Sequence, residues 1–308
     1  MMKVSVIIAV YNAHSMIDKM VSCLQQQDFD DFEIVIVDDG STDGTGLYCD
    51  NLAESDSRIK VIHQNNQGVS AARQAGVNSA SGEYIIHADA DDYVENGMLK
   101  SLYDKAKKTD ADVIFCNYYS DEPDGNVILR IQQPKETPIE TLIALLYGLH
   151  GSCWNKLVRR STLNKFGIKF PEGLNYCEDL LTWIQLFQHP EVKITYVNQA
   201  FYHYVANPES ATRQGSLKML NNIKAFTKKM SEALPKGNEV IDRYIMTLPI
   251  APFQYAFQHR LVSDKESRNE YKRLRRVIWG DTRSNRWRLG YIMIELNLMG
   301  IARKLIKL

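Results

Sequence analysis

Short apolar runs, each ending in polar residues, alternate with helical patterns through the first hundred residues. The runs cover residues 3–10, 33–37 and 59–62 and are rich in valine and isoleucine. Helical patterns follow at about 15–27 and 68–80. Strands that alternate with helices at this spacing form α/β domains, and near-continuous apolar runs are typical of parallel strands covered on both faces. The sequence therefore predicts an α/β fold with a mainly parallel sheet flanked by helices.

Polar side chains follow the ends of the predicted strands. Tyr11 and Asn12 come after the first run. Asp38 and Asp39 follow the second run, and an acidic group at 89–92 ends another, which starts near residue 83. In open α/β sheets, ligands bind beyond the carboxyl ends of the strands. We therefore expect these residues to gather along one edge of the sheet and to form a binding site.

The acidic group places three carboxylates within four positions. Asp89 and Asp91 are two residues apart, so they point to the same side of an extended segment. Their charges repel unless a cation lies between them. Mg²⁺ or Mn²⁺ suits this role, because such an ion takes one or two carboxylates and shares its remaining positions with phosphate and water. The alternative is an Asp-rich turn with solvated acids.

The loop after the second run, residues 38–44, lacks the Gly-x-Gly-x-x-Gly spacing of dinucleotide sites. Two acids there would repel a pyrophosphate, whereas a carboxylate can accept hydrogen bonds from ribose hydroxyls or a uracil imide. In the alternative reading, Asp39 only shapes a turn. The helix at 68–80 is built from small residues and carries Arg73. Its guanidinium is a candidate contact for a base carbonyl or a phosphate oxygen, or else forms a surface salt bridge.

Four motifs in this order resemble those of family 2 glycosyltransferases, the inverting nucleotide-sugar enzymes with the GT-A fold. They lie at residues 6–12, 37–45, 66–73 and 82–92. The sequence departs from the usual pattern at Ala9, where many members have proline, and at Gln74, where asparagine is usual. Neither position carries chemistry.

The resemblance implies roles for individual residues. Asp89-Ala90-Asp91 corresponds to the Asp-x-Asp metal motif, in which the second acid usually contacts Mn²⁺ or Mg²⁺. The residues assigned to the nucleotide-sugar site in these motifs are Val10, Tyr11, Asn12, Asp39, Arg73, Asp89 and Ala90. Asp92 is assigned to the acceptor side.

The resemblance extends to residues 152–183. There it suggests Asp179 as the general base, with Glu178 the less favoured candidate. The alternative is that both acids only favour the start of a helix, where negative charge complements the macrodipole. Trp154 is a candidate aromatic face for the acceptor sugar, or a core residue. Lys156 is a candidate phosphate contact, or a solvated lysine.

The stretch at 201–213 resembles the segment that, in this family, often orders over the diphosphate as a loop. His203 and Arg213 are the candidates for that contact. A lone histidine is more often structural, so both readings of His203 stay open.

Beyond Ser216 the sequence predicts helices. Residues 259–308 hold 13 Lys or Arg against five acids, interleaved with tryptophan and aliphatic residues. Such helices suit an anionic membrane surface, and some family members act on lipid-linked acceptors. A helical bundle with a solvated basic face is weighed equally.

The whole chain balances 37 basic against 37 acidic residues, which gives no argument for nucleic acid. Five cysteines without a Cys-x-x-Cys pair favour reduced thiols in a cytoplasmic setting. We expect three parts: a nucleotide-sugar-binding part at 1–110, an acceptor-binding and catalytic part at 111–215, and a helical extension at 216–308. The expected reaction uses a nucleotide-sugar, UDP-linked by preference, and a glycan or lipid-linked acceptor. The alternatives are a sugar nucleotidyltransferase and a catalytically silent protein with the same fold.

Overall fold

The computed structural model describes residues 2–206, 215–281 and 285–306. The chain divides into two compact units, Met1–Asn207 and Pro208–Leu308. The first unit contains one sheet whose strands come from both sides of residue 110. The two predicted parts at 1–110 and 111–215 therefore share a single sheet.

The sheet has nine strands. They are β1 Val4–Val10, β2 Phe32–Asp38, β3 Ile59–His63, β4 Tyr84–Asp89, β5 Tyr93–Val94, β6 Val113–Asp121, β7 Val127–Arg130, β8 Lys156–Arg159 and β9 Ile194–Val205.

The strand order is β3-β2-β1-β4-β8-β6-β9-β5, with β7 paired to β6. The four strands β3, β2, β1 and β4 are parallel, as the sequence predicts. The remaining part is mixed: β6 pairs with β9 in parallel, and the pairs involving β8, β7 and β5 are antiparallel. The carboxyl ends of β1, β2 and β4 therefore meet at one edge.

The described residues of the first unit form seven helices. They are α1 Ile17–Gln25, α2 Thr45–Ser55, α3 Val69–Ser79, α4 Met98–Thr109, α5 Pro138–Tyr147, α6 Arg160–Phe166 and α7 Glu178–Leu186. The start of α5 follows directly from the sequence, because Thr137 and Glu140 form a capping box that satisfies two of the helix's free N–H groups.

The main core lies where helices cover the sheet. Valine and isoleucine side chains of β1 and β2 are fully buried, and α1 adds Ile17, Met20 and Leu24 from one face. Spacing of three and four residues brings these side chains to the same side of the helix.

Helix α3 lies close to the other face of the sheet. A Cβ placed on Gly76 would come within 2.3 Å of Cγ2 of Ile7 in β1, so only glycine allows this approach without displacement. Because His87 pairs with Ile7 in the parallel register, residues 87 and 89 of β4 lie on this same face. Helix α3 and the end of β4 are thereby brought together.

The second unit contains six helices in its described residues, as predicted for 216–308. They are α8 Leu217–Ala233, α9 Glu239–Thr247, α10 Ile250–Gln258, α11 Asp264–Asp281, α12 Asn285–Glu295 and α13 Met299–Leu305. Its core is formed by α10 to α13, with Phe257, Ile278, Ile294 and Ala302 fully buried. Across the described ranges of the chain, none of the helices combines the length and the apolar character needed to cross a membrane.

Replacing Gly76 should test the close approach of α3. We expect Gly76→Ala to lower the free energy of unfolding by about 1–3 kcal/mol, because the added methyl group overpacks a filled core. Urea unfolding of the full chain measures the change. Gly148→Ala is the matched control: a Cβ there meets nothing within 4 Å, so a shift of at most about 0.5 kcal/mol is expected. Equal effects of the two substitutions would contradict the packing argument.

Candidate active site

A cleft of about 320 Å³ opens at the carboxyl ends of β1 and β4, beside the first turns of α3. It gathers residues from three of the motifs singled out in the sequence. Its lining residues are Ala9, Val10, Tyr11, Ala13, Met16, Val69, Arg73, Asp89, Ala90 and Asp91. The predicted convergence of the β1 and β4 strand ends is therefore present in the fold.

The end of β1 supplies one wall of the cleft. Val10 is buried, whereas Tyr11 is 53% exposed and presents its ring to solvent. Asn12 has a positive φ of 51° and is tied to the loop after β2. Its backbone N–H donates to Ser41 Oγ at 2.9 Å, and its Oδ1 accepts from the Thr42 N–H at 2.8 Å. These bonds fix the β1 loop against the β2 loop.

Asp39 orders the loop that leads into α3. Its carboxylate accepts from the side chain of Gln64 at 2.7 Å and from the N–H groups of Gln67 and Gly68 at 2.9 and 2.8 Å. The side chain is 3% exposed. A carboxylate has about four acceptor positions, so these three bonds leave room for one further donor.

Arg73 lies at the centre of the site and is 6% exposed. Its guanidinium contacts three carboxylates. Nη2 donates to Asp89 Oδ1 at 2.9 Å, and Nη1 pairs with Glu178 and lies 3.2 Å from Asp179 Oδ1. The sequence predicts contacts of Arg73 with a ligand, or a surface salt bridge, but not this buried cluster. Helix α7 is thereby tied to the end of β4 through a single side chain.

Glu178 and Asp179 occupy the first turn of α7, as predicted. Burial and the neighbouring Asp179 raise the pKa of Glu178 to about 7. Burial also disfavours the charged form of Asp179, but the positive charge of Arg73 outweighs it and lowers the pKa of this carboxyl. Asp179 Oδ2 also accepts from the Cys153 N–H at 3.2 Å. Asp179 is therefore ionised at neutral pH, whereas Glu178 is only partly ionised there.

Asp89 and Asp91 line the same cleft. Asp91 is exposed, yet loss of hydration and the charge of Asp89 raise its pKa. Within the described residues, no group of three or more His, Cys, Asp or Glu side chains is arranged as a metal site. Two repelling carboxylates at an open cleft nevertheless fit a hard cation that shares its other positions with phosphate and water.

Lys156 differs from the expectation of a phosphate contact. It is fully buried, and its Nζ donates to the carbonyls of His150 and Ser152 at 2.8 Å each and to Asn155 Oδ1 at 2.6 Å. These three bonds use all three ammonium protons. Burial lowers the pKa of Lys156 to about 7. In this structure the Lys156 side chain therefore stabilises residues 150–155, the segment that leads into β8.

Trp154 and Asp92 also face inward rather than toward an acceptor. Trp154 is 2% exposed and stacks on Tyr202, with ring centroids 4.3 Å apart. The Tyr202 hydroxyl donates to Asp92 Oδ2 at 2.8 Å and accepts from the Asp89 N–H at 3.0 Å. Burial and the Asp89 charge raise the pKa of Asp92 to about 8. Through these hydrogen bonds, Tyr202 holds the backbone of Asp89 and the side chain of Asp92 in place on the buried side of the Asp-x-Asp segment.

His203 is a strand residue of β9 and not part of a loop. Its Nδ1 lies 2.9 Å from Asp121, its Nε2 lies 3.0 Å from Glu95, and its ring stacks on Tyr93 at 4.2 Å. The side chain is 7% exposed, so the structural alternative describes its surroundings here. Arg213 lies outside the described residues.

His87 is a site residue that the sequence reading missed. It is buried in β4 and lies two positions before Asp89, on the same face. Its Nδ1 has no hydrogen-bond partner among the described residues, and burial together with the Arg73 charge lowers its pKa to about 3. A polar residue within the apolar run 84–88 was the available signal. His87 therefore stands as a neutral ring beside the carboxylate cluster.

Comparisons with known proteins agree with this fold. The family model described as glycosyl transferase family 2 matches residues 5–167. Glycosyltransferase GlyG of Streptococcus pneumoniae is 29% identical over 87% of this chain and 92% of that protein. The putative glycosyltransferase EpsH of Bacillus subtilis is 32% identical over 77% of this chain and 70% of that protein.

Among solved structures, S. aureus TarS 1–349 in complex with UDP-GlcNAc has a TM-score of 0.69 at 21% identity, covering 99% of this chain and 90% of that chain. The fold is that of the GT-A glycosyltransferases. The chain belongs to glycosyl transferase family 2, as the sequence motifs predicted.

Removing Arg73 should release the carboxylate cluster. We expect Arg73→Leu to lower the free energy of unfolding by about 3–5 kcal/mol at pH 7, because it leaves buried carboxylates without a counter-charge. Urea unfolding measures the loss. Arg130→Leu breaks a 3.5 Å contact with Glu122 in which both side chains are partly exposed, and should cost at most about 1 kcal/mol. A similar cost for both variants would show that Arg73 is not a central contact.

The raised pKa of Glu178 predicts a pH-dependent stability term. Below about pH 4.5 the carboxyl is protonated in both the folded and unfolded states and contributes nothing. Between about 4.5 and 7 only the unfolded chain loses the proton, so this residue lowers stability as pH rises. Above that window the penalty is constant.

Urea unfolding at several pH values should therefore show the difference in stability between wild type and Glu178→Gln shifting in favour of the variant as pH rises from 4.5 to 7. Glu172→Gln, which replaces an exposed glutamate of the same unit, is the control and should show no such trend. A difference that stays constant with pH would contradict the assignment.

Proposed function

We propose that this chain is an inverting glycosyltransferase. It transfers a sugar from a nucleotide-sugar, a UDP-sugar by preference, to a hydroxyl group of a glycan or lipid-linked acceptor in surface polysaccharide biosynthesis. Membership of family 2 and the likeness in fold to TarS, which was solved with UDP-GlcNAc, support this reading. The family relatives GlyG and EpsH are themselves named as glycosyltransferases.

The observation that carries the proposal is the shared contact of Arg73. One guanidinium binds Asp89 of the Asp-x-Asp segment and Asp179 at the start of α7. It thereby holds the carboxylates on the donor side at a fixed position relative to the carboxylate that would receive the acceptor proton. Transfer between two substrates requires this kind of fixed relation, because the reacting atoms must meet within about 3–3.5 Å.

In the proposed donor site, the nucleoside lies between Tyr11 and Asp39. The exposed ring of Tyr11 offers a stacking surface for the base. The remaining acceptor position of Asp39 suits a uracil imide or a ribose hydroxyl. Val10, Asn12 and Ala90 shape the walls through their backbone and the bonds between the two loops.

Asp91 and Asp89 would hold the metal ion, Mn²⁺ or Mg²⁺. When bound with the donor, it would supply Lewis-acid stabilisation of the negative charge that develops on the diphosphate. Asp89 already pairs with Arg73, whereas the described ion pairs include none for Asp91, so a metal ion bound with the donor would supply the counter-charge that Asp91 lacks.

In the proposed reaction, the acceptor hydroxyl oxygen attacks the anomeric carbon and forms the new glycosidic bond. The bond from that carbon to the diphosphate oxygen breaks, and its electron pair leaves with the nucleoside diphosphate. The hydroxyl proton passes to the Asp179 carboxylate. A single displacement from the opposite face inverts the anomeric centre.

We assign the role of base to Asp179 rather than to Glu178, because the base must be ionised before it can accept the proton. Arg73 lowers the pKa of Asp179 and keeps it ionised, whereas burial keeps the pKa of Glu178 near 7. General-base catalysis by a positioned carboxylate contributes about 10²- to 10⁴-fold to a rate. Glu178 then serves to fix Arg73, with which its carboxylate pairs.

We further propose that the enzyme acts in the cytoplasm, at the inner face of the membrane. The surplus of basic residues at 259–308 supports attraction to anionic lipid surfaces.

Trp154 and Asp92 are both buried. In the proposed site they would support the acceptor-binding surface from within the fold and would not contact the acceptor.

The test combines donor binding and turnover across UDP-, GDP- and dTDP-sugars, with Mn²⁺, with Mg²⁺ and with chelator. We expect one donor to bind only with metal and Asp91→Ala to abolish that binding. Asp179→Asn should keep donor binding but lower kcat by about 10²- to 10⁴-fold. The anomeric configuration of the product, read by NMR, checks inversion.

Asp104→Asn is the matched control, because it removes an exposed carboxylate on α4 that pairs only with Lys100 in the described contacts. It should leave binding and turnover unchanged. If no nucleotide binds under any condition, the chain is a catalytically silent member of the fold. If Asp179→Asn turns over at the wild-type rate, the assignment of the base is wrong.

A further inference from the structure

The second unit contains a cavity of about 800 Å³ that the proposed transfer reaction does not use. Its walls come from α8, α9, α10 and α11, so it lies wholly within the helical unit. Its volume falls within the range of about 300–1,000 Å³ that is usual for sites that enclose small organic ligands.

One wall of the cavity is apolar. Leu220, Leu248, Phe253 and Ala256 line it, and each is less than 9% exposed. These residues belong to three different segments, and their side chains present a continuous hydrocarbon surface to the cavity. Such a wall favours a ligand with an apolar chain, since burying hydrocarbon stabilises a complex by roughly 25 cal/mol per Å².

The rim of the cavity carries cationic side chains. Lys224 and Lys228 lie one turn apart on α8, so they occupy the same face of the helix. Both are exposed, and the described ion pairs include neither of them. Two acids also line the rim: Glu270 pairs with Arg273 and is affected by the charge of Lys224, and Glu266 accepts hydrogen bonds from Ser263 and keeps its negative charge. With three cations (Lys224, Lys228 and Arg273) against two acids (Glu266 and Glu270), the rim has one net positive charge.

A buried hydroxyl group points to a missing polar partner. Ser267 lines the cavity and is 1% exposed, and its Oγ has no hydrogen-bond partner within the described ranges. Buried hydroxyls are nearly always hydrogen-bonded, because an unsatisfied group costs about 1–3 kcal/mol in stability. A ligand with polar atoms near its head would satisfy it.

From these three features we propose that the second unit binds one phosphate-bearing single-chain lipid. Its hydrocarbon chain lies against the wall of Leu220, Phe253 and Ala256, and its phosphate lies at Lys224 and Lys228. An apolar wall beside a cationic rim is complementary to such an amphiphile. This binding is separate from sugar transfer, so its test needs no turnover.

The probe is decyl phosphate below its micelle concentration, titrated into the full chain by isothermal calorimetry. Decan-1-ol and inorganic phosphate are titrated in parallel. We expect decyl phosphate to bind at one site with a negative heat-capacity change and more tightly than either comparison compound. The double substitution Lys224→Ala and Lys228→Ala should weaken binding by about tenfold to thirtyfold, through loss of two cation–phosphate contacts.

Two further variants test the cavity itself. Ser231→Trp places a large ring at the cavity wall on α8, where Ser231 is half-buried, and should abolish binding while the unfolding temperature is kept. Ser267→Ala should raise the unfolding temperature of the free protein and weaken binding, because it removes an unsatisfied hydroxyl.

The charge-matched control removes Lys218 and Lys265, which are exposed in the same unit but do not line the cavity. It should leave the affinity for decyl phosphate unchanged. Equal binding of inorganic phosphate would reduce the site to a surface anion contact and overturn the proposal. Equal binding of decan-1-ol would overturn the role of the lysines. A dimer in sedimentation experiments that Ser231→Trp dissociates would show that a second copy occupies the cavity instead.

Discussion

The active-site geometry depends on one buried cation, the guanidinium of Arg73. It neutralises carboxylates from two distant parts of the chain, Asp89 after β4 and the pair Glu178 and Asp179 on α7. Without this cation, three acids could not be held together in a space with so little water, because their mutual repulsion would raise their pKa values or push them apart. The same contact lowers the pKa of Asp179, whereas burial and the neighbouring Asp179 raise the pKa of Glu178 to about 7. The Arg73 guanidinium thus both holds the carboxylate cluster together and keeps Asp179 ionised.

Much of the parallel half of the fold is readable from the sequence. The apolar runs at 4–10 and 33–37 are typical of strands buried on both sides, and they form β1 and β2. The acids at 89–92 mark the edge of the sheet where a ligand would bind. The order of the four motifs along the chain also indicates the family, although no single motif is specific enough to do so. These signals are local: each depends on a pattern within about ten neighbouring residues, and the parallel topology follows from their alternation with helices.

The remaining part of the site depends on contacts between distant residues, which local patterns do not encode. Lys156 and Trp154 carry side chains typical of binding sites, yet burial and partners from other segments turn them inward. The apolar run that contains His203 is long enough for a strand, but its pairing with β6 and β5 depends on segments 70 or more residues away. His87 was overlooked because one polar residue in a buried strand has no periodicity of its own. A charged or aromatic side chain therefore indicates a binding role only when the fold is known to direct it toward the site.

The absence of a side chain at Gly76 has a consequence for protein engineering. Arg73 lies about one turn earlier on α3. The distances from its guanidinium to Asp89 and Asp179 therefore depend on how closely α3 packs against Ile7. Gly76 contacts no substrate in the proposed mechanism, yet it determines where the guanidinium of Arg73 lies. Variants that alter α3 should therefore keep glycine at position 76, since a larger side chain there would move Arg73 relative to the carboxylates that it pairs with.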